Sequence, residues 1–172
     1  MYSEKIQMLI NGRWCDGSKG DSQPLINPAT EEVIGQASKA TPEDVERALK
    51  SSENGLIVWK KTPPWQRSNI LRKIADRIRE KKNILAKWMT LENGKPLAEG
   101  IAEANGTADI FEWNAEETKR IYGQTIESRF EDTRVHVYYQ PVGVVAALSP
   151  WNFPLILAAR KISTALGAGC SV

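Results

Sequence analysis

The stretch from Val142 to Pro154, "VGVVAALSPWNFP", decides the fold. Its opening residues, Val142 to Leu148, are apolar on both faces, the pattern of a strand buried inside a parallel sheet. Beyond Pro154 the pattern predicts a helix to about Leu166, then the turn Gly167-Ala168-Gly169, then a new apolar start at Cys170-Ser171-Val172. Strand, helix, glycine-containing turn and strand make a βαβ unit, the crossover that parallel strands require. One strand pair does not bury both faces of such a sheet, so the expectation is an α/β domain that continues past Val172, of which this chain is a fragment.

In an open parallel sheet, ligands bind beyond the carboxyl ends of the strands, and "SPWNFP" lies at such an end. Pro150 biases Ser149 toward extended backbone, and Pro154 is suited to the first position of the next helix, so the loop between them is stiff. A stiff loop can aim Asn152. Its carboxamide N–H₂ is a neutral double donor, suited to an oxyanion that develops only when a carbonyl is attacked. The same residue also fits as the cap of the following helix, with Trp151 and Phe153 in the core. Spacing leaves both roles open.

Toward the amino terminus the chain reads as short strands and then helices. Met8-Leu9-Ile10 and Arg13-Trp14-Cys15 flank Asn11-Gly12, a pair suited to a two-residue type I′ turn. Pro24-Leu25-Ile26 and Val33 to Ala37 predict a second strand pair, turning at "NPATEE". Thr41-Pro42-Glu43-Asp44 starts a helix that reaches about Trp59. "WQRSNILRKIADRIREKK" predicts a helix with Ile70, Leu71, Ile74 and Ile78 on one face and Arg72, Lys73, Arg77 and Arg79 on solvated ones. "NILAKWMTLENGKP" reads as a further helix stopped by Gly94. The next runs from Pro96 to a stop at Gly123, and its internal Gly100 and Gly106 each cost about 1 kcal/mol relative to Ala unless something packs closely there. "QTIESRFEDTRVHVYYQPVG" alternates around Glu131-Asp132 as a half-exposed hairpin does.

Composition narrows the function. A chain of 172 residues with 41% hydrophobic content suits one domain with a core. The net charge of +2 comes from 23 basic and 21 acidic residues scattered along the sequence, which leaves no basic stripe for nucleic acid. No apolar run reaches the roughly 20 residues of a membrane span, and "MYSEKIQML" lacks a signal-peptide core, so the expected location is cytoplasmic. Cys15 and Cys170 are far apart and His136 is the single histidine, so neither a disulfide nor a metal site is expected. Cys170 heads an apolar strand as a structural residue rather than a nucleophile, and His136 alternates with Val135 and Val137 as a solvated or interface side chain.

"PVGVVAALSPWNFP" followed by "ARKISTALGAGCSV" resembles the amino-terminal part of the NAD(P)-dependent aldehyde dehydrogenase family. "INGRW", "NPATEEVIG", "RSNILRKIADRIRE", "LENGKP" and "EWNAEETKRIYG" are similar to segments of that family, in its order. The resemblance implies an incomplete Rossmann-like cofactor domain with amino-terminal strands and helices and a projecting β-hairpin. Residues 1–123 correspond to the first part of that domain, 124–140 to an oligomerisation hairpin and 141–172 to the start of the truncated βαβ unit. It further implies oxidation of a small aldehyde to a carboxylic acid with NAD or NADP in a homo-oligomer. Asn152 takes the oxyanion role, and the backbone of Ser149, Pro150 and Trp151 runs along the nicotinamide ribose. The family's nucleophilic cysteine and glutamate base fall beyond Val172, which implies that residues 1–172 alone are inactive.

"ARK" at Ala159-Arg160-Lys161 is similar to the corresponding segment of succinate-semialdehyde dehydrogenases, in which this arginine can meet the substrate's distal carboxylate. Arg160 serves equally well as an anchor to neighbouring acids, and other aldehyde dehydrogenases carry the same three residues. The substrate stays open between succinate semialdehyde and another small aldehyde such as lactaldehyde. A reading from a different class is a non-catalytic truncated interaction or assembly module. The unfinished βαβ unit discriminates against it, and the reading frame after the codon for Val172 decides.

Overall fold

The computed structural model describes residues 5–172. Five short strands come first: β1 (Lys5–Ile6), β2 (Met8–Ile10), β3 (Arg13–Cys15), β4 (Ser22–Ile26) and β5 (Val33–Ser38). β2 and β3 pair antiparallel with Leu9 opposite Trp14, and Asn11 and Gly12 both take positive φ, 52° and 71°, as a type I′ turn demands. β5 lies between β1, parallel to it, and β4, antiparallel. Pro24 is tolerated because β4 is an edge.

Helix α1 (Pro42–Trp59) begins at a capping box in which Thr41 and Asp44 satisfy each other's backbone N–H. The Asp44 carboxylate also accepts the Ser18 hydroxyl and its N–H, tying the helix start to the preceding loop. Gly17 is required there, since a Cβ would stand 1.9 Å from the Lys39 carbonyl oxygen.

Helix α2 (Pro64–Asn93) is one continuous helix of 30 residues where the sequence pattern predicts two. Lys81-Lys82-Asn83 holds no Gly or Pro to break it, and the buried stripe Leu71, Ala75, Ala86, Met89 continues through both halves. Gly94, at φ 76°, ends it as expected. Helix α3 (Leu97–Thr118) packs along α2 through small residues, with Gly100 against Ala86, where a Cβ would lie 3.1 Å from the Ala86 Cα. Gly106 likewise faces Ile156 at 3.2 Å, so both glycines serve close packing. The core comprises Leu71, Ala75, Ala108, Phe111, Ala115 and Ala159. At its rim Arg79 reaches Asp109 and Glu112 at 2.8 and 2.5 Å, and Arg72 pairs with Glu116, so two of the four basic residues assigned to solvated faces bridge the helices instead.

α3 stops at Thr118 rather than Gly123. The buried Thr118 hydroxyl bonds the Asn114 carbonyl and packs against Gly167, and the chain turns away from the bundle there. Gly123 has another task, because a Cβ on it would stand 2.3 Å from the Val137 carbonyl oxygen. The expected hairpin follows as β6 (Gln124–Glu127) and β7 (Arg134–Val137), with Thr125 opposite His136. His136 is exposed, and its Nδ1 lies 3.1 Å from the Thr125 hydroxyl.

Val142 to Leu148 does not form the regular strand that its pattern predicts. One parallel bridge joins Val144 to Ser171, with the Val145 N–H donating to the Ser171 carbonyl at 2.9 Å. Val142 and Leu148 are 89% and 81% exposed. A parallel strand needs neighbours along its length, and among the described residues this segment has only the short stretch at Ser171. Helix α4 (Pro154–Ala168) then packs on α3 and ends at Gly169, φ 91°. Its last carbonyls are held from outside: Trp59 Nε1 donates to Leu166 at 2.9 Å, and the buried Arg67 donates to Gly167 at 3.3 Å.

Candidate active-site loop

Ser149, Pro150, Trp151 and Asn152 are all exposed on the turn that enters α4. Pro154 takes the first helical position, as its fixed φ favours. The cap position falls to Phe153, which offers no side-chain acceptor, so Asn152 does not cap the helix. Trp151 and Phe153 are exposed too, which overturns the reading that buries them in the core. The free N–H groups at the helix start are met by an acid from another helix. Glu103 on α3 presents Oε1 to the N–H of Leu155 at 2.9 Å and of Ile156 at 3.2 Å, a carboxylate at the positive end of a helix dipole.

The other oxygen of Glu103 pairs with Lys95 Nζ. Both partners are buried, at 4% and 7% exposure, and a buried charge pair persists only where its remaining donors and acceptors are satisfied. They are: Lys95 Nζ also donates to the Asn152 carbonyl at 2.9 Å and sits 3.9 Å over the Phe153 ring. From the last position of α2, Asn93 Nδ2 donates to the Trp151 carbonyl at 3.0 Å. The turn is therefore held at Trp151, Asn152, Phe153 and the first N–H groups of α4. The Asn152 carboxamide itself makes no hydrogen bond among the described residues.

Arg160 is exposed on α4, two turns from Asn152, and its guanidinium makes no hydrogen bond or ion pair among the described residues. Cys170 is buried at 2% exposure, and Cys15 is half-buried. The pattern reading singles out Asn152 but not the three residues that hold its loop. Their signal lies in "LENGKP", which supplies Asn93 and Lys95, and in Glu103, a carboxylate inside the otherwise small and apolar stripe Gly100, Ala104, Thr107, Ala108.

Residues 14–172 match the profile of the aldehyde dehydrogenase family, and the chain belongs to that family. It is 42% identical over 162 residues to a succinate semialdehyde dehydrogenase of Acinetobacter baylyi, covering 94% of this chain and 34% of that protein. A glutarate-semialdehyde dehydrogenase of Pseudomonas putida is 43% identical over 166 residues, 96% of this chain and 35% of its own length. Among solved structures, an NADP-dependent enzyme of E. coli superposes with a TM-score of 0.94 at 41% identity, over 95% of this chain and 34% of that one. A betaine aldehyde dehydrogenase of Staphylococcus aureus in complex with NAD+ gives 0.93 at 35% identity, over 96% and 34%. The chain spans about a third of the length of the curated relatives it matches. Its α/β fold is that of part of an aldehyde dehydrogenase.

Proposed function

We propose that residues 1–172 form the amino-terminal part of an enzyme that oxidises a small aldehyde to a carboxylic acid with NAD or NADP, and that Asn152 is its oxyanion donor. The observation that carries the reading is an exposed carboxamide on a turn held at three successive residues, by the carbonyls of Trp151 and Asn152 and by the ring of Phe153. A donor carried on backbone that is held before the reaction stabilises negative charge on the attacked carbonyl oxygen with little reorganisation as the charge develops. The bound nicotinamide supplies the hydride acceptor. Trp151 has its carbonyl engaged by Asn93, which leaves the carbonyls of the exposed residues Ser149 and Pro150 for the ribose hydroxyls, and that chemistry fits.

Succinate semialdehyde is the substrate class we favour, with the exposed Arg160 guanidinium pairing with the distal carboxylate. The cysteine nucleophile and the base belong to sequence outside these residues, since Cys170 is closed off by burial, and 1–172 alone is inactive on this reading. Ile126, Phe130, Val135, Tyr138 and Tyr139 are exposed on and beside the 124–140 hairpin, which supports homo-oligomer formation there. The same apolar surface favours the second reading, a non-catalytic assembly module. No helix among the described residues is long and apolar enough to cross a membrane, and a cytoplasmic location is part of the proposal.

The test is Asn152→Ala in a full-length enzyme carrying this segment. The expected outcome is a kcat lower by roughly 10²–10³ with fold and cofactor binding retained. A near-normal kcat combined with lost thermal stability contradicts the oxyanion role.

A further inference from the structure

We infer that Lys95 and Glu103 are positioning residues for the Asn152 carboxamide, a device that rests on the oxyanion reading of Asn152. The argument starts from what Asn152 lacks. Its side chain is exposed and has no hydrogen bond among the described residues, so nothing at the amide itself fixes where it points. What is held is the bond from which the amide swings, through the peptide groups on either side of the residue. Lys95 Nζ takes the Asn152 carbonyl at 2.9 Å, which fixes the peptide plane on the carboxyl side of the residue. Asn93 Nδ2 takes the Trp151 carbonyl at 3.0 Å and fixes the plane on the amino side. With both planes held, the Cα–Cβ direction of Asn152 follows.

Glu103 makes that grip rigid. A lysine ammonium on a four-carbon stem is mobile unless its donors are claimed, and here the carboxylate, a carbonyl and the Phe153 ring claim it inside a buried site. The same carboxylate holds the N–H groups of Leu155 and Ile156, so the lysine and the start of α4 are referenced to one acid on α3. Movement of Asn152 relative to α4 therefore requires breaking a buried charged network. A stabilising ion pair with no functional part could sit anywhere along α2 and α3, as Arg79 with Asp109 does. This one ends on the carbonyl of the candidate oxyanion residue.

The experiment is a double-mutant cycle in a full-length enzyme carrying this segment. Lys95→Met keeps the stem and removes the grip. The expected result is a kcat lower by roughly 10- to 100-fold, the cost of a small misplacement at the reacting centre. The KM for the cofactor is expected to stay within about twofold. In an Asn152→Ala background the same substitution is expected to leave kcat unchanged while still lowering the melting temperature, because the residue it positions is gone. Should Lys95→Met fail to fold, Lys95→Met with Glu103→Gln leaves no unpaired buried charge, with the same kcat loss expected in the parent and the same silence in the Asn152→Ala background. An unchanged kcat in the parent background, or the same loss in both backgrounds, overturns the positioning role. A full kcat in Asn152→Ala alone overturns the oxyanion reading itself, and the positioning role falls with it.

Discussion

Gly100 on α3 lies against Ala86 on α2, so close that a Cβ at position 100 would stand 3.1 Å from both the Cα and the carbonyl oxygen of Ala86. The obstacle is backbone, which does not swing aside. Gly100→Val is therefore expected to destabilise by about 1–3 kcal/mol through overpacking. Gly55, inside α1, meets nothing within 4 Å, and Gly55→Ala is expected to stabilise by about 1 kcal/mol from helix propensity. Thermal melts of the two variants should shift in opposite directions, and shifts of the same sign would contradict the packing argument.

Asp44 governs an acid-dependent share of stability. The Ser18 hydroxyl, together with the N–H groups of Thr41 and Ser18, holds its carboxyl far below the ordinary value of 3.8. Because the folded-state pKa is the lower one, the stabilisation is present above about pH 4 and is lost as pH falls from there toward the folded value. Asp44→Asn is expected to lower the melting temperature at pH 7 and to flatten its fall below pH 4. A mutant whose acid profile parallels that of the parent would refute the assignment.

Arg160 should separate substrates by charge. In a full-length enzyme, Arg160→Gln is expected to raise KM for succinate semialdehyde by roughly 10- to 100-fold, from the loss of a charge-assisted pairing. For an uncharged aldehyde of similar length, KM should change by less than about threefold. Equal effects on both substrates would return Arg160 to a structural role.

Residues 1–172 purified alone should produce no NAD(P)H from aldehydes, and should either self-associate or keep an ordered helical part with loosely held final residues. The exposed Ile126, Phe130, Tyr138, Val142 and Leu148 form apolar surface of the kind that recruits other chains. Turnover that survives Cys15→Ser but disappears with Cys170→Ser would reverse the view of Cys170. Light scattering over a dilution series, with hydrogen exchange along the chain, tests the rest. A single monomer with strong protection throughout 142–172 would disprove both alternatives.

The features that could be read from sequence are those closed by near neighbours. The Asn11-Gly12 turn, the Thr41-Asp44 box and the Gly94 stop each involve residues within a few positions of one another, so their chemistry lies side by side in the chain. The sequence pattern divides α2 near Lys81-Lys82-Asn83, but no Gly or Pro stands there to break it, and the buried stripe that carries the helix through is a matter of tertiary packing. Val142 to Leu148 has the composition of a strand, but strand geometry comes from a partner, and among the described residues only Ser171 bridges it. The turn that carries Asn152 was legible through its fencing prolines, whereas the group that caps α4 was not. Glu103, 52 residues upstream of Leu155, occupies that place.

The two ends of α4 also bear on how the segment folds. Its first turn is secured by Glu103 across 52 residues, and its last by Arg67 across 100 residues. Closure entropy grows only logarithmically with loop length, so the second closure costs merely about 0.6 kcal/mol more than the first. Both anchoring side chains belong to α2 and α3, which precede α4 in the chain and leave the ribosome before it. During synthesis, α4 thus emerges onto a surface that already carries a complementary charge for each of its poles, and the loop at Asn152 takes its shape as the helix docks.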